Sequence, residues 1–302
     1  MSIARVTIII LNWNGCHDTL ACLQSLAGLD YPAYEVIVID NGSTDNSVAV
    51  IRATFPQVTL VEAGENLGFV GGNNLGLEQA CKMGSDYALL LNNDTEVAPA
   101  FLRKLVDAAE ADPTAGAASP IIYYFDTPKV IWSAGGEVDW RHGHTRLVGM
   151  GETDDGQFDG KPRPVGFITG CAFLIKMPVY EQVGGLDPRF FAYYEDNEWC
   201  LRIHRAGYRI LFVPQAKVWH KISPLVRESS PQVHYYMTRN RLLFLKCTQA
   251  GWQSWLNTFY EYTRTLISWT IKPRWQYKAP LRKAMIRAIL DFLRGRLGEA
   301  TL

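Results

Sequence analysis

The chain has 302 residues, enough for one large α/β domain or two small ones. Hydrophobic residues make up 48% and charged residues 20%, an ordinary globular composition. The net charge is zero, which excludes a protein that coats nucleic acid or another polyanion with its whole surface.

The charge is nevertheless uneven. Eight basic residues (Lys272, Arg274, Lys278, Arg282, Lys283, Arg287, Arg294, Arg296) crowd the end of the chain against one acid, Asp291. No stretch reaches the ~18 uninterrupted apolar residues that a spanning helix needs. The six cysteines include no C-x-x-C pair, and no basic-plus-apolar signal opens the chain. These features predict reduced, mostly core cysteines in a cytoplasmic protein.

Residues 6–11 form a continuous apolar, β-branched run, the pattern of a strand buried on both faces. Residues 18–26 carry leucines at helical spacing, and 35–39 predict a second strand. A helical run follows Ser43 and Asp45, then a strand at 58–61, a helix at 73–81 and a strand at 87–91. Residues 99–111 predict a helix with Pro99 near its start and Pro113 beyond its end. Such alternation implies a parallel sheet with right-handed crossovers. The second half reads differently. Residues 121–147 suggest hairpins or loops, and 149–164 a mobile Gly/Asp/Pro-rich loop. Strands are expected at 169–176, 210–214 and 218–220, with helices from Gln232 onward.

Three predicted strands end in polar clusters: Asn12-Trp13-Asn14, Asp40-Asn41-Gly42-Ser43-Thr44-Asp45 and Asn92-Asn93-Asp94. Each alone reads as a turn. Together, at the carboxyl edge of a parallel sheet, they read as a polar ligand site. Asp40 either accepts from a base N–H or caps the next helix. Asp94 suits a hard divalent cation, which takes one or two carboxylates plus substrate phosphates. The segment from Asn66 to Gly76 fits neither G-x-G-x-x-G nor a P-loop. Its glycines serve either close ligand approach or tight packing.

Residues 190–202 set Glu195, Asp196 and Glu198 among aromatic side chains. Such surroundings favour a general base; the alternative is an acidic first helical turn with an ordinary Glu198–Arg202 pair. His220 is either a buried hydrogen-bonding histidine or a metal ligand.

The ordered motifs TIIILNWNG (7–15), VIDNGSTDNS (38–47), NLGFVGGNNLG (66–76), LLLNNDTEV (89–97), TGCAFLIKMPVYEQVGGLDPRFFAYYEDNEWCLR (169–202), GYRILFVPQAKVWH (207–220) and YYMTRNRLLFLK (235–246) resemble family-2 glycosyltransferases of GT-A fold, especially bacterial rhamnosyltransferase-like members. The resemblance implies a Rossmann-like, mostly parallel sheet. It implies a catalytic domain at 1–246, divided into a nucleotide-binding half (1–115) and an acceptor half (116–246), and a helical basic extension at 247–302. It places Leu11, Asn12, Asn14, Asp40, Asn66, Gly68, Asn73, Asn92 and Asn93 around a dTDP- or UDP-sugar. Arg239 and Arg241 either reach the diphosphate or are helix-surface charge. Asp94 and His220 would hold Mg²⁺ or Mn²⁺; Asn92 stands where the family has the first acid of its metal motif. Asp196, preceded by Glu195, would be the base of an inverting transfer to a saccharide or lipid-linked saccharide. The alternatives are a nucleotidyltransferase, which would want a basic phosphate loop that 11–15 lacks, and a non-catalytic binding module.

Residues 279–297 have amphipathic helical spacing with a basic polar side. Such a helix either lies on an anionic inner membrane face or packs on the catalytic domain.

Overall fold

The computed structural model describes residues 3–139, 144–222 and 230–300; part of the expected hairpin region, 140–143, lies outside them. The first apolar run forms β1 (Val6–Asn12), and its composition follows from burial on two faces. Ile8 and Ile10 join one helix-covered core and Ile9 the other. β2 (Tyr34–Asp40), β3 (Thr59–Glu62) and β4 (Tyr87–Asn92) complete a parallel array in the order β3-β2-β1-β4. The helices α1 (Cys16–Leu26), α2 (Ser47–Thr54), α3 (Gly68–Lys82) and α4 (Phe101–Ala111) lie between and after them. The chain leaves β1 on one side to build β2 and β3, then returns to its other side for β4. This reversal opens a crevice beyond the carboxyl ends of β1 and β4.

The sheet continues beyond β4 with β11 (Ala172–Lys176), β6 (Ala115–Tyr124), β12 (Arg209–His220) and β10 (Arg163–Pro164). Here it is mixed: β11 runs antiparallel to both β4 and β6, while β12 and β6 are parallel. β5 (Thr95–Val97) pairs with β12, and β7 (Ile131–Ser133) with β6; β8 (Gly136–Asp139) and β9 (His144–Leu147) form a separate hairpin. α5 (Met177–Val183) and α6 (Glu195–Arg205) follow β11. α7 (Pro231–Cys247), α8 (Trp252–Ile271), a 3₁₀ turn (Pro273–Lys278) and α9 (Ala279–Leu293) close the chain.

Four local expectations change. Residues 115–124, AGAASPIIYY, form a fully buried strand; its small residues lack the apolar bulk that marks a strand in sequence. The two short strands expected at 210–220 are one strand, bulged between Val213 and Lys217. The loop at 149–164 is held against the sheet: Tyr123 donates to Asp154, and Phe158 meets Phe212 edge-on. The glycine-rich segment is helical from Gly68, and its glycines admit neighbours. A Cβ on Gly72 would lie 2.2 Å from Leu11 Cδ1, and one on Gly76 2.3 Å from Ile9 Cγ2. Packing of α3 against β1 is therefore the role these two glycines fill.

The C-terminal helices share cores with α7. Tyr235 and Tyr236 pack with Ala284 and Ala288, and Leu242 with Tyr262 and Met285. Within α7, Arg239 is fully buried and donates to the carbonyls of Arg189, Phe190 and Gly298. Asn240 Nδ2 donates to Phe190 O (2.8 Å), Ala192 O (2.7 Å) and Tyr193 O (2.8 Å).

Gly76→Val forces Ile9 aside and lowers unfolding free energy by about 1–3 kcal/mol in urea titration. Asn240→Asp turns a donor into an acceptor facing three carbonyls, and the same measurement gives a loss of about 3 kcal/mol or more.

Candidate active site

The crevice is framed by a chain of side-chain hydrogen bonds across strand ends. Asn12, fully buried, donates to Asp40 Oδ1 at 2.8 Å and accepts from Thr19 at 2.7 Å; Asn93 in turn donates to Thr19 at 2.9 Å. Asp40 Oδ2 accepts from Ser43 N at 3.0 Å, so the carboxylate shapes the loop after β2. Each of its oxygens retains acceptor capacity for another donor. Asn14, left-handed at φ 50°, accepts from Thr44 N (2.8 Å) and Asp45 N (3.2 Å) and braces the same loop.

A second network sets the start of α3. Asn41 Nδ2 donates to Asn66 Oδ1 (2.9 Å) and Gly68 O (3.1 Å), and Gly68 N donates to Asn66 Oδ1 (2.9 Å). Gly68, at φ 69°, leaves room for the Phe191 ring, which lies 2.5 Å from where a Cβ would stand. Asn73 is buried within α3 and donates back to Phe69 O, a helix-internal bond. Leu11 is partly buried against Gly72.

Asp94 follows β4, and the pairing of β5 with β12 brings His220 to it. His220 stands opposite Thr95, and its Nε2 lies 3.1 Å from Asp94 Oδ1. Neither that oxygen nor His220 Nδ1 has an aligned hydrogen-bond partner among the described residues. Burial pushes Asp94 up, but His220, its own backbone N–H and Lys221 prevail and hold it below the usual carboxylate range. Burial also opposes charge on His220; Cys171 and Asp94 outweigh it, and the ring is pushed up to about 10.

Asp196 lies in the first turn of α6, where the helix dipole favours an anion. Its Oδ2 accepts from Gly170 N at 3.1 Å, and Oδ1 from Asn197 N at 2.8 Å and Nδ2 at 2.7 Å. One residue on from Gly170, Cys171 O accepts from Asn92 N at 2.9 Å. Asp196 and the Asn92–Asp94 turn are therefore anchored to consecutive residues at one strand end. Glu195 is buried beside Gly170. Glu198 makes the ordinary helical pair with Arg202, at 2.9 Å.

The loop that delivers Asp196 has three non-glycine residues in left-handed conformation: Phe191, Tyr193 and Tyr194 (φ 64°, 69° and 70°). Arg239 and Asn240 hold its carbonyls. Arg239 thus faces the protein interior with its guanidinium on backbone acceptors, which matches neither a diphosphate contact nor helix-surface charge. Arg241 pairs with Glu261 of α8 at 2.8 Å, and Glu261 with His144 at 2.7 Å. Thr19, Gly170 and Asn240 belong to the site and escape sequence reading, whereas Asn41 falls in the polar cluster after β2. The only signal is for Asn240, a short amide between two arginines in an apolar helix.

Residues 7–184 match Glycosyl transferase family 2. An N-acetylglucosaminyl-diphospho-decaprenol L-rhamnosyltransferase of Mycobacterium tuberculosis is 27% identical over 249 residues, 76% of this chain and 80% of that protein. A dTDP-rhamnosyl transferase, RfbF, of Shigella flexneri is 25% identical over 273 residues, 87% of each. The crystal structure of GalNAc-T7 with UDP, GalNAc and Mn²⁺ superposes with a TM-score of 0.67 at 18% identity, covering 97% of this chain and 58% of that one. Matched over more than half of its length and folded as a GT-A enzyme, the chain belongs to glycosyl transferase family 2.

Proposed function

We propose that this glycosyltransferase moves a sugar, rhamnose being the best supported, from a dTDP- or UDP-linked donor to a hydroxyl of a lipid-linked saccharide, with inversion. The observation that carries this reading is the anchoring of Asp196 and the Asn92–Asp94 turn to neighbouring residues, Gly170 and Cys171, at the end of β11. On this reading Asp196 is the proton acceptor and the Asn92–Asp94 turn is where the diphosphate leaves, and their shared anchoring supports it. The rhamnosyl names of the relatives support the sugar, and decaprenol in one of them supports the lipid.

The nucleoside lies in the crevice beyond β1 and β2, with Asp40 accepting from a base N–H and Leu11 and Asn12 as its floor. Asn66 and Gly68 shape the adjoining wall. Asp196 removes the proton of the acceptor hydroxyl. The oxygen attacks the anomeric carbon, the bond from that carbon to the diphosphate oxygen breaks, and its electron pair leaves with the phosphate.

A divalent cation fits beside this path. Asp94 offers a buried carboxylate oxygen, and His220 Nε2 lies within reach of the same point. Among the described residues no group of three or more His, Cys, Asp and Glu side chains gathers, so donor phosphates and water would complete the shell. When bound, the ion neutralises the departing diphosphate. Mn²⁺ in the GalNAc-T7 structure supports a cation of this type. The same reading puts the enzyme on the cytoplasmic side, at the membrane that carries its acceptor.

Asp196→Asn lowers kcat by roughly 10²–10⁴-fold, with nucleotide-sugar affinity by calorimetry nearly unchanged; wild-type turnover in that variant removes Asp196 as base. Asp94→Asn raises the Mn²⁺ concentration for half-maximal rate by about 10-fold or more. A metal titration identical to wild type would show that the ion is held elsewhere.

A further inference from the structure

The C-terminal segment carries a surface that sugar transfer does not use. Residues 252–296 hold nine basic residues and two acids in a chain of zero net charge. Both acids are turned inward. Glu261 pairs with Arg241 and His144, and Asp291 is buried against Tyr235 and Arg287.

The long helix α8 buries only Ser254, Thr258 and Tyr262 fully. Its opposite side exposes Trp252 (72%), Leu256, Phe259, Tyr260 (65%), Ile267 and Ile271 (71%). At 100° per residue these six fall within about one third of the helix circumference. Thr263, Thr270 and Gln253 share that arc, Arg264 borders it, and no acid lies in it. A helix of this length presents the stripe over ~30 Å. It is not a span: no helix among the described residues is long and apolar enough to cross a membrane.

The stripe runs into a cluster of basic and aromatic groups. Lys278 Nζ lies 5.0 Å from the Trp275 ring centre, 5.2 Å from Trp269 and 5.8 Å from Tyr277; Arg274 lies 5.1 Å from Trp275. Exposed Lys272 precedes it. Aromatic rings with basic neighbours suit the headgroup level of a bilayer.

From this we infer that α8, with the 3₁₀ turn after it, lies in the plane of an anionic phospholipid surface, its apolar stripe among the acyl chains and Lys272, Arg274 and Lys278 on the headgroups. This moves the main contact from the basic helix α9 to α8. In α9, Leu281 and Met285 are buried, and Ala284 and Ala288 pack on α7; its exposed Ile286, Leu290 and Leu293 make a smaller patch than the α8 stripe. Charge decides the occupant. A second copy would bring two strongly basic faces together, whereas anionic lipid attracts both the charge and the stripe.

The inference rests on the reading that the acceptor is carried by lipid, and vesicle flotation of the full-length protein without any sugar tests it independently. The chain floats with phosphatidylcholine–phosphatidylglycerol vesicles and not with phosphatidylcholine alone, and binding weakens as salt rises. Replacing three exposed stripe residues (Leu256→Ser, Ile267→Ser, Ile271→Ser) abolishes flotation at unchanged melting temperature. Lys272→Glu with Arg274→Glu weakens partitioning roughly 10-fold or more. Both variants keep wild-type transfer to a water-soluble acceptor. Absent or lipid-indifferent flotation, or stripe variants that float like wild type, overturns the inference. So does a dimer in analytical ultracentrifugation that the stripe variant dissociates. Vesicle binding without sugar transfer from any donor sinks the functional reading and leaves this one standing.

Discussion

The hydrogen bond from Asn12 to Asp40 at 2.8 Å joins the ends of two parallel, mostly apolar strands. The site depends on it. A carboxylate buried at a strand end is tolerated only when its lone pairs are met, and an unmet one costs several kcal/mol. Asn12 meets one oxygen and Ser43 N the other. Because Asn12 also accepts from Thr19, and Asn93 donates to Thr19, the loops after β1, β2 and β4 are set relative to one another. Rigid loops on a rigid sheet edge are what a preorganised charge-stabilising site requires.

The other side of the site is built by different physics. The loop into α6 contains three left-handed non-glycine residues, each costing on the order of 1 kcal/mol or more. What stabilises that conformation is α7, whose Arg239 and Asn240 satisfy the loop carbonyls from below. Phe191 is held between Gly68 and Tyr236, stacked on the latter with ring centres 5.4 Å apart. Asp196 is thus positioned by α3, by α7 and by the backbone of Gly170. Its place is a property of the whole second half, not of the acidic motif alone.

This division explains what was legible in the sequence. β1, β2 and β4 announce themselves because burial on both faces demands unbroken apolar runs, and the polar residues at their ends mark the crevice. Motif order singled out Asp94, His220 and Asp196, and the structure brings Asp94 and His220 within 3.1 Å. β6 was hidden because its first half is small residues, chosen by close neighbours: a Cβ on Gly116 would stand 2.7 Å from Tyr208 Cβ. Arg239 read as either a diphosphate contact or surface charge because a basic residue in sequence carries no sign of its direction. The glycines of α3 showed the same ambiguity; Leu11 and Ile9 on β1 resolve two of them as packing contacts.

Helix α7 also links the two proposed surfaces. One side holds the loop that presents Asp196. Another shares a core with Tyr262 of α8, and Arg241 is tied to Glu261 on the same helix. The surface proposed to rest on lipid through α8 is therefore connected to the loop that presents Asp196, the proposed base, by a single mostly buried helix. The zero net charge of the chain conceals this arrangement. The basic excess is confined to the segment after residue 251, and the rest of the molecule carries the balancing acidic excess. On an anionic bilayer such a distribution attracts one face and repels the remainder, which orients the molecule as well as binding it. With the acceptor held in that bilayer, as proposed, orientation would limit the search for substrate to two dimensions and keep the Asp196 edge at a constant height above the lipid.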